Sequence, residues 1–121
     1  MYIEKLYIRN FRNYKEQSIS FSKGTNLILG NNGVGKSNLL EAIYILSTSK
    51  SFNNVTDAKI KKWDTDGYLV RGIVNSVGGN IEIALDYRRD KKSLYINGSL
   101  EKKISSIIGK IYCIILFFGD I

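Results

Sequence analysis

The sequence predicts an α/β fold in which a strand runs through a glycine-rich loop into a helix, with an antiparallel β-layer beside it. Three observations predict it. Residues 25–30, TNLILG, form a short apolar run ending in glycine, the pattern of a strand buried on both faces. From Lys36 the apolar period changes, and Leu39, Leu40, Ile43 and Leu46 recur at helical spacing. Further on, YLVRGIVNSV, IEIALDYRR and SLYI read as three strands separated by turn residues, which predicts a meander.

The remaining elements follow in order. YIEKLYIRNF at the start mixes Tyr and Ile with charges and reads as a strand; SISF at 18–21 alternates as a half-buried strand does. The helix after the loop runs out in the polar STSKS at 47–51, and its Glu41 lies off the apolar stripe. TDAKIKKW at 56–63 predicts a short helix with Thr56 or Asp57 as its N-cap. In the second strand of the meander Ile81, Ile83, Leu85 and Tyr87 share one face, with Glu82, Ala84 and Asp86 on the other. Gly78-Gly79-Asn80 and Arg89-Asp90-Lys91 are turn candidates, and Asn97-Gly98 is a strong turn signal. SLEKKISSIIG then reads as a short helix capped by Ser99 with Ile104, Ile107 and Ile108 inward, and IYCIILFF at 111–118 as another buried strand.

Composition narrows the function. A chain of 121 residues suits one domain or a piece of a larger one. A net charge of +7 favours acidic partners such as nucleotides or nucleic acid, although a solvated basic surface explains it equally well. Without histidine there is no Cys/His zinc site and no histidine general base. The lone Cys113 forms no internal disulfide and reads as a small core residue. The charged N-terminus is no signal peptide, and residues 111–118 are far too short to span a bilayer, so a cytoplasmic, non-membrane protein is expected.

The chemistry lies in the loop. Gly30, Gly35, Lys36 and Ser37 fit G-x-x-x-x-G-K-[ST], preceded by a predicted strand and followed by a predicted helix. Glycines at Gly30, Gly33 and Gly35 allow a tight turn whose N–H groups, from Gly30, Asn31, Asn32, Gly33, Val34 and Gly35 through to Asn38, face phosphate oxygens. Lys36 is placed to reach the β- and γ-phosphates, the Ser37 hydroxyl to hold Mg²⁺, and the helix to turn its positive end toward the anion. ATP with Mg²⁺ is the expected ligand.

Basic residues gather elsewhere: Lys59, Lys61 and Lys62; Arg88, Arg89, Lys91 and Lys92; Lys102 and Lys103. Each group suits phosphate neutralisation, and each alone is explained as a solvated face.

The words N-F-R-N-Y at 10–14 and F-x-x-G-x-N-L-I-L-G-N-N-G-x-G-K-S-N-L-L-E-A-I-Y at 21–44 resemble the N-terminal lobe of ATP-binding-cassette-type DNA-repair ATPases. That group includes RecF, the SMC proteins and the zinc-hook repair ATPase. The words L-E-A-I-Y-I-L and K-S-F point to the RecF family. The resemblance is close over residues 1 to about 60 and looser through Trp63 to the end. It implies a mixed sheet around the P-loop helix with an antiparallel β-layer beside it. It further implies ATP-dependent homodimerisation, binding of gapped DNA or double-stranded/single-stranded junctions, and recombinase loading with RecR and RecO in repair and replication after DNA damage, including the SOS response. The resemblance places Arg12 near the nucleotide. A phosphate contact and a surface arginine at a strand end remain equal readings of that residue.

Departures from the family pattern bear on activity. Asn53 stands where the family usually has Arg, and F-F-G-D-I closes the chain where family members often read F-S-P-E-D-L. No signature motif or Walker B carboxylate pair is visible in residues 1–121, which read as the N-terminal part of a RecF-like head. Asp120 after IILFF is a poor substitute, since Gly119 intervenes and no Glu follows. A weak ATPase is expected of an intact protein, and negligible turnover of this chain alone. A generic P-loop enzyme and a non-catalytic, nucleotide-shaped interaction module stay open, the first disfavoured by the N-F-R-N-Y word.

Overall fold

The computed structural model describes residues 2–21, 34–51, 55–76 and 78–107. In chain order these form β1 (Tyr2–Phe11), β2 (Tyr14–Ser20), α1 (Val34–Thr48), α2 (Asp57–Ile60), β3 (Gly67–Ser76), β4 (Gly79–Arg88), β5 (Lys91–Ile96) and β6 (Ser99–Leu100), then a 3-10 turn at Ile104–Ile107. The six strands make one sheet in the order β2-β1-β3-β4-β5-β6, antiparallel throughout. This is the expected antiparallel β-layer with the P-loop helix against it. The TNLILG and IYCIILFF strands of the expected mixed sheet lie outside the described residues.

Alternation decides which face of the sheet is core. Leu6 and Ile8 of β1, Val70 and Val74 of β3, Ile83 and Leu85 of β4 and Leu94 of β5 are fully buried on one side. Helix α1 covers them with Ala42, Ile45 and Leu46. Each such side chain contributes about 1.5–3 kcal/mol by leaving water. Gly72 of β3 sits directly beneath the helix, and a Cβ there would collide with Leu46. The small residue is what lets α1 approach the sheet this closely.

The predicted helical stripe is rotated. Leu46 is buried as expected, whereas Leu39, Leu40 and Ile43 are only partly covered. The buried positions are Asn38, Glu41, Ala42, Ile45, Leu46 and Ser47, with Ser49 just past the helix. With apolar residues on most of its circumference, the helix gives periodicity little to choose between, and packing picks the face.

Turn chemistry fixes two hairpins. Arg89 and Asp90 adopt φ of 50° and 63° between β4 and β5, and Asn97 and Gly98 adopt 51° and 83° between β5 and β6. Positive φ at both central residues matches the twist of the flanking strands. The second turn overturns one expectation: no helix begins at Ser99. The chain reverses, pairs Ile96 with Ser99 and Tyr95 with Leu100, and adds a bond from the Glu101 N–H to the Leu94 carbonyl. Strand pairing therefore satisfies the backbone that a helix would have used, and helical geometry is delayed to Ile104–Ile107. Ile107 is buried there and Ile104 partly so, while Ile108 lies outside the described residues.

Candidate functional site

The site is built around the start of α1. Strands β1 and β2 are joined by the two-residue turn Arg12-Asn13, with Phe11 opposite Tyr14. Arg12 adopts φ 53° and Asn10 φ 52°, a left-handed conformation that non-glycine residues adopt at a cost of roughly 1–2 kcal/mol. Neighbouring bonds hold it. The Arg12 N–H donates to the Ile60 carbonyl at 2.7 Å and the Lys62 N–H to the Asn10 carbonyl at 2.7 Å. Phe11 also bridges to Lys61. The segment after α2 thus clamps the turn from one side.

On the other side the turn grips the helix. Arg12 Nε donates to Glu41 Oε1 at 2.7 Å and Nη2 to Oε2 at 2.8 Å, a bidentate pair; Nη1 reaches the Lys59 carbonyl at 3.4 Å. The Ser51 hydroxyl donates to Glu41 Oε2 at 2.5 Å. The Glu41 side chain is 1% exposed and that of Arg12 25%. The hydrogen bond to Glu41 raises the Arg12 pKa above its ordinary value; burial pulls the other way, and attraction to the carboxylate adds to the rise. Asn38, immediately after Ser37, donates from Nδ2 to Asn13 Oδ1 at 3.0 Å.

A second cluster holds the far end of α1. Lys92 Nζ donates to the carbonyl of Ser49, just past the helix, at 2.6 Å and pairs with Asp57 Oδ2 at 2.8 Å. The Tyr68 hydroxyl donates to Asp57 Oδ1 at 2.5 Å. Burial first, then that hydrogen bond, push the Tyr68 pKa far above its ordinary value. The ring is held by Phe11 edge-on and by Tyr87 stacked, each with centroids 5.5 Å away. A cation at a helix C-terminus also complements the helix dipole.

The predicted site residues divide accordingly. Gly30, Asn31, Asn32 and Gly33 lie outside the described residues, as do Asn53 and Asp120. Val34, Gly35, Lys36 and Ser37 form the first turn of α1, so the helix opens inside the motif. That turn contains no acidic residue, which suits the positive end of the helix to an anion. Asn38 and Arg12 come together at the hairpin turn. Glu41, read from sequence as off the apolar stripe, is a fully buried partner of Arg12. No local sequence signal pointed to it, because its partner lies 29 residues away.

The basic clusters also divide. Lys92 is spent on Asp57 and Ser49, so it is not a free phosphate ligand. Arg89 is 3.8 Å from Asp66, both exposed, a pair worth little. Lys59, Arg88, Lys91, Lys102 and Lys103 are exposed. At α2 the predicted cap is half correct. Thr56 takes the N-cap position without a side-chain cap bond, and Asp57 directs its carboxylate to Tyr68 and Lys92.

With this geometry in place, comparison with known proteins is informative. A family model for an AAA ATPase domain matches residues 1–113. The chain belongs to this AAA ATPase domain family. It is 37% identical, over its whole length, to the DNA replication and repair protein RecF of Leptospira biflexa, and covers 34% of that protein. The RecF of Clostridium acetobutylicum is 39% identical over 97% of this chain, which spans 32% of that protein. The chain thus spans about a third of the length of the curated relatives it matches. Among solved structures, the recombination mediator RecF bound to ATP superposes with a TM-score of 0.82 at 38% identity, over 88% of this chain and 29% of that one. The SMC head domain of Thermotoga maritima follows at 0.64 and 27%, over 84% of this chain and 39% of that one. The RecF likeness read from the first 60 residues therefore extends through the β-layer. Among the described residues, no helix of this AAA ATPase domain is long and apolar enough to cross a membrane.

Proposed function

We propose that this domain binds ATP with Mg²⁺ through Gly30, Asn31, Asn32, Gly33, Val34, Gly35, Lys36, Ser37 and Asn38, as part of a RecF-type DNA-repair ATPase. The observation that carries the reading is a helix opening at Gly35-Lys36-Ser37 with no acid in its first turn, pinned to the sheet by the N-F-R-N turn. Lys36 supplies a cation to the β- and γ-phosphates. Ser37 is the protein ligand for Mg²⁺, which neutralises phosphate charge when bound. Among the described residues no cluster of three His, Cys, Asp or Glu competes for it, and Mg²⁺ commonly takes few protein ligands beside phosphate oxygens.

Arg12 serves this site as a positioning residue. Its bidentate engagement with Glu41 supports a role in fixing the helix, and through it the loop, over a direct phosphate contact. The whole protein binds gapped DNA or double-stranded/single-stranded junctions, dimerises on ATP and works with RecR and RecO in the cytoplasm. Support comes from the RecF likeness and the surplus of cations. Turnover by residues 1–121 alone is negligible, because phosphoryl transfer also needs a group that orients the attacking water.

Titration calorimetry of ATP with Mg²⁺ tests the reading. Lys36→Ala removes the cation facing the phosphates and abolishes measurable binding while the far-ultraviolet spectrum is unchanged. Equal affinity in the two proteins would refute it.

A further inference from the structure

Helix α1 and the Ile104–Ile107 turn pack on one face of the sheet, where Leu6, Ile8, Val70, Val74, Ile83 and Leu85 are buried. The residues between them point to the opposite face. On β1 these are Lys5, Tyr7 and Arg9; on β3, Leu69, Arg71 and Ile73; on β4, Glu82, Ala84 and Asp86. Lys5, Arg9 and Arg71 are exposed and the others half-buried. Strand register sets them in rows: Lys5, Ile73 and Glu82 in one, Tyr7, Arg71 and Ala84 in the next, Arg9, Leu69 and Asp86 in the last. The block thus has a cation at each end of β1, an apolar residue at each end of β3 and an acid at each end of β4. Cation and acid of one row stand two strand spacings apart, about 10 Å, with Ile73 or Leu69 between them. Among the described residues no ion pair engages Lys5, Arg9, Arg71, Glu82 or Asp86. Arg71 instead leans over the Tyr7 ring, its guanidinium carbon 4.8 Å from the centroid, which draws its charge off the midline toward β1.

We infer that this face docks on the same face of a second copy of the chain, through a two-fold axis running along β3. The rotation lays β1 of one copy over β4 of the other and keeps each row opposite itself. Lys5 then meets the second copy's Glu82, and Arg9 meets its Asp86, each contact occurring twice by symmetry. Leu69 and Ile73 meet their own counterparts on the axis and leave water together. Arg71, drawn toward Tyr7, comes over the second copy's Ala84 and between its acids, clear of the second copy's Arg71. Sheets stacked face to face lie about 10 Å apart with strands within about 30° of each other, so the rows nearest the axis keep this correspondence. Charge selects the occupant. A nucleic acid would be repelled by the Glu82 and Asp86 column, and a partner of one sign would satisfy one column and oppose the other. The reversed pattern satisfies both, and the two-fold mate carries it. The contact lies on the face away from α1 and needs no nucleotide, so it is separate from the ATP-driven dimer proposed above.

Sedimentation equilibrium of the chain without nucleotide, over a range of protein and salt concentrations, tests the contact. The expected result is a reversible monomer–dimer equilibrium that weakens as salt rises. The double variant Lys5→Glu/Arg9→Glu makes both columns acidic, and Glu82→Lys/Asp86→Lys makes both basic. Either one alone weakens self-association about tenfold, because every cross-axis contact becomes repulsive. Mixed in equal amounts, the two variants form a dimer again, since each contact once more joins opposite charges. None of the substituted side chains belongs to the core, and an unchanged far-ultraviolet spectrum confirms that each variant folds. Lys36→Ala leaves the equilibrium as it is. A chain that stays monomeric at every concentration, a dimer that survives both double variants, or a mixture that fails to associate would overturn the inference. Loss of the dimer in Lys36→Ala would overturn it too, by assigning the association to the phosphate-binding turn.

Discussion

The two ends of α1 are fastened by networks of similar chemistry and different consequence. At the N-terminal end, Arg12 and Asn13 reach from a hairpin turn to Glu41 and Asn38, within one turn of Lys36 and Ser37. At the C-terminal end, Lys92 holds the Ser49 carbonyl and Asp57, with Tyr68 completing the cluster. Each network includes a left-handed residue, Arg12 at φ 53° in the first and Ser49 at φ 70° in the second. Backbone strain therefore does not separate the ends; what separates them is that the first network adjoins the helical turn carrying Gly35, Lys36 and Ser37. The far network then serves stability alone.

Arg12→Ala should have the largest effect. It strands the Glu41 carboxylate at 1% exposure, and breaking a buried pair in this way costs about 3 kcal/mol after allowance for the partial exposure of Arg12. Denaturant unfolding measures it. Arg12→Lys should recover only part of the loss, because an ammonium cannot make the two parallel bonds. Full recovery would mean that charge alone, and not the bidentate fit, holds the helix.

Lys92→Met should cost somewhat less, about 2 kcal/mol. Its partner Asp57 is more exposed than Glu41 and keeps the bond from Tyr68. The apolar stem is retained, so the loss reports the two polar bonds. A loss equal to that of Arg12→Ala would erase the distinction in strength between the ends.

The smallest effect appears at alkaline pH. Tyr68 holds its proton in the folded state well beyond the ordinary tyrosine pKa, through burial and the bond to Asp57. The unfolded chain releases that proton near pH ~10, so stability is unaffected below this value. Above it stability falls by about 1.4 kcal/mol per pH unit from this residue. Tyr68→Phe should flatten that decline in denaturant melts between pH 9 and 11, and an unchanged slope would assign the loss to other groups.

Much of this arrangement was legible in the sequence, and the unread parts have physical causes. The strands alternate cleanly, and Asn97-Gly98 announces its turn. Yet a strong turn also dictates what comes next, and the helix read from Ser99 gave way to a strand for that reason. Lys92 shares parity with Leu94 and Ile96 on β5, so its core-side position was available from alternation, although its charge suggested a solvated surface. Glu41 was hidden more deeply. Its partner is 29 residues away across the glycine-rich loop, and no local pattern predicts a bidentate pair at that separation. The G-K-S motif fixed the start of the helix to within a turn, while nothing in it revealed which neighbouring turn holds the helix in place.

The measurement that bears most directly on this account is the ATP affinity of Arg12→Ala and Lys92→Met by titration calorimetry, at a temperature where both are fully folded. On the proposal that the N-terminal network orients a phosphate-binding turn, Arg12→Ala should bind ATP with Mg²⁺ about tenfold more weakly, a change of about 1.4 kcal/mol. Lys92→Met should bind as the unmodified chain does. Equal weakening in both variants, or none in either, would contradict the division of labour between the two ends of α1.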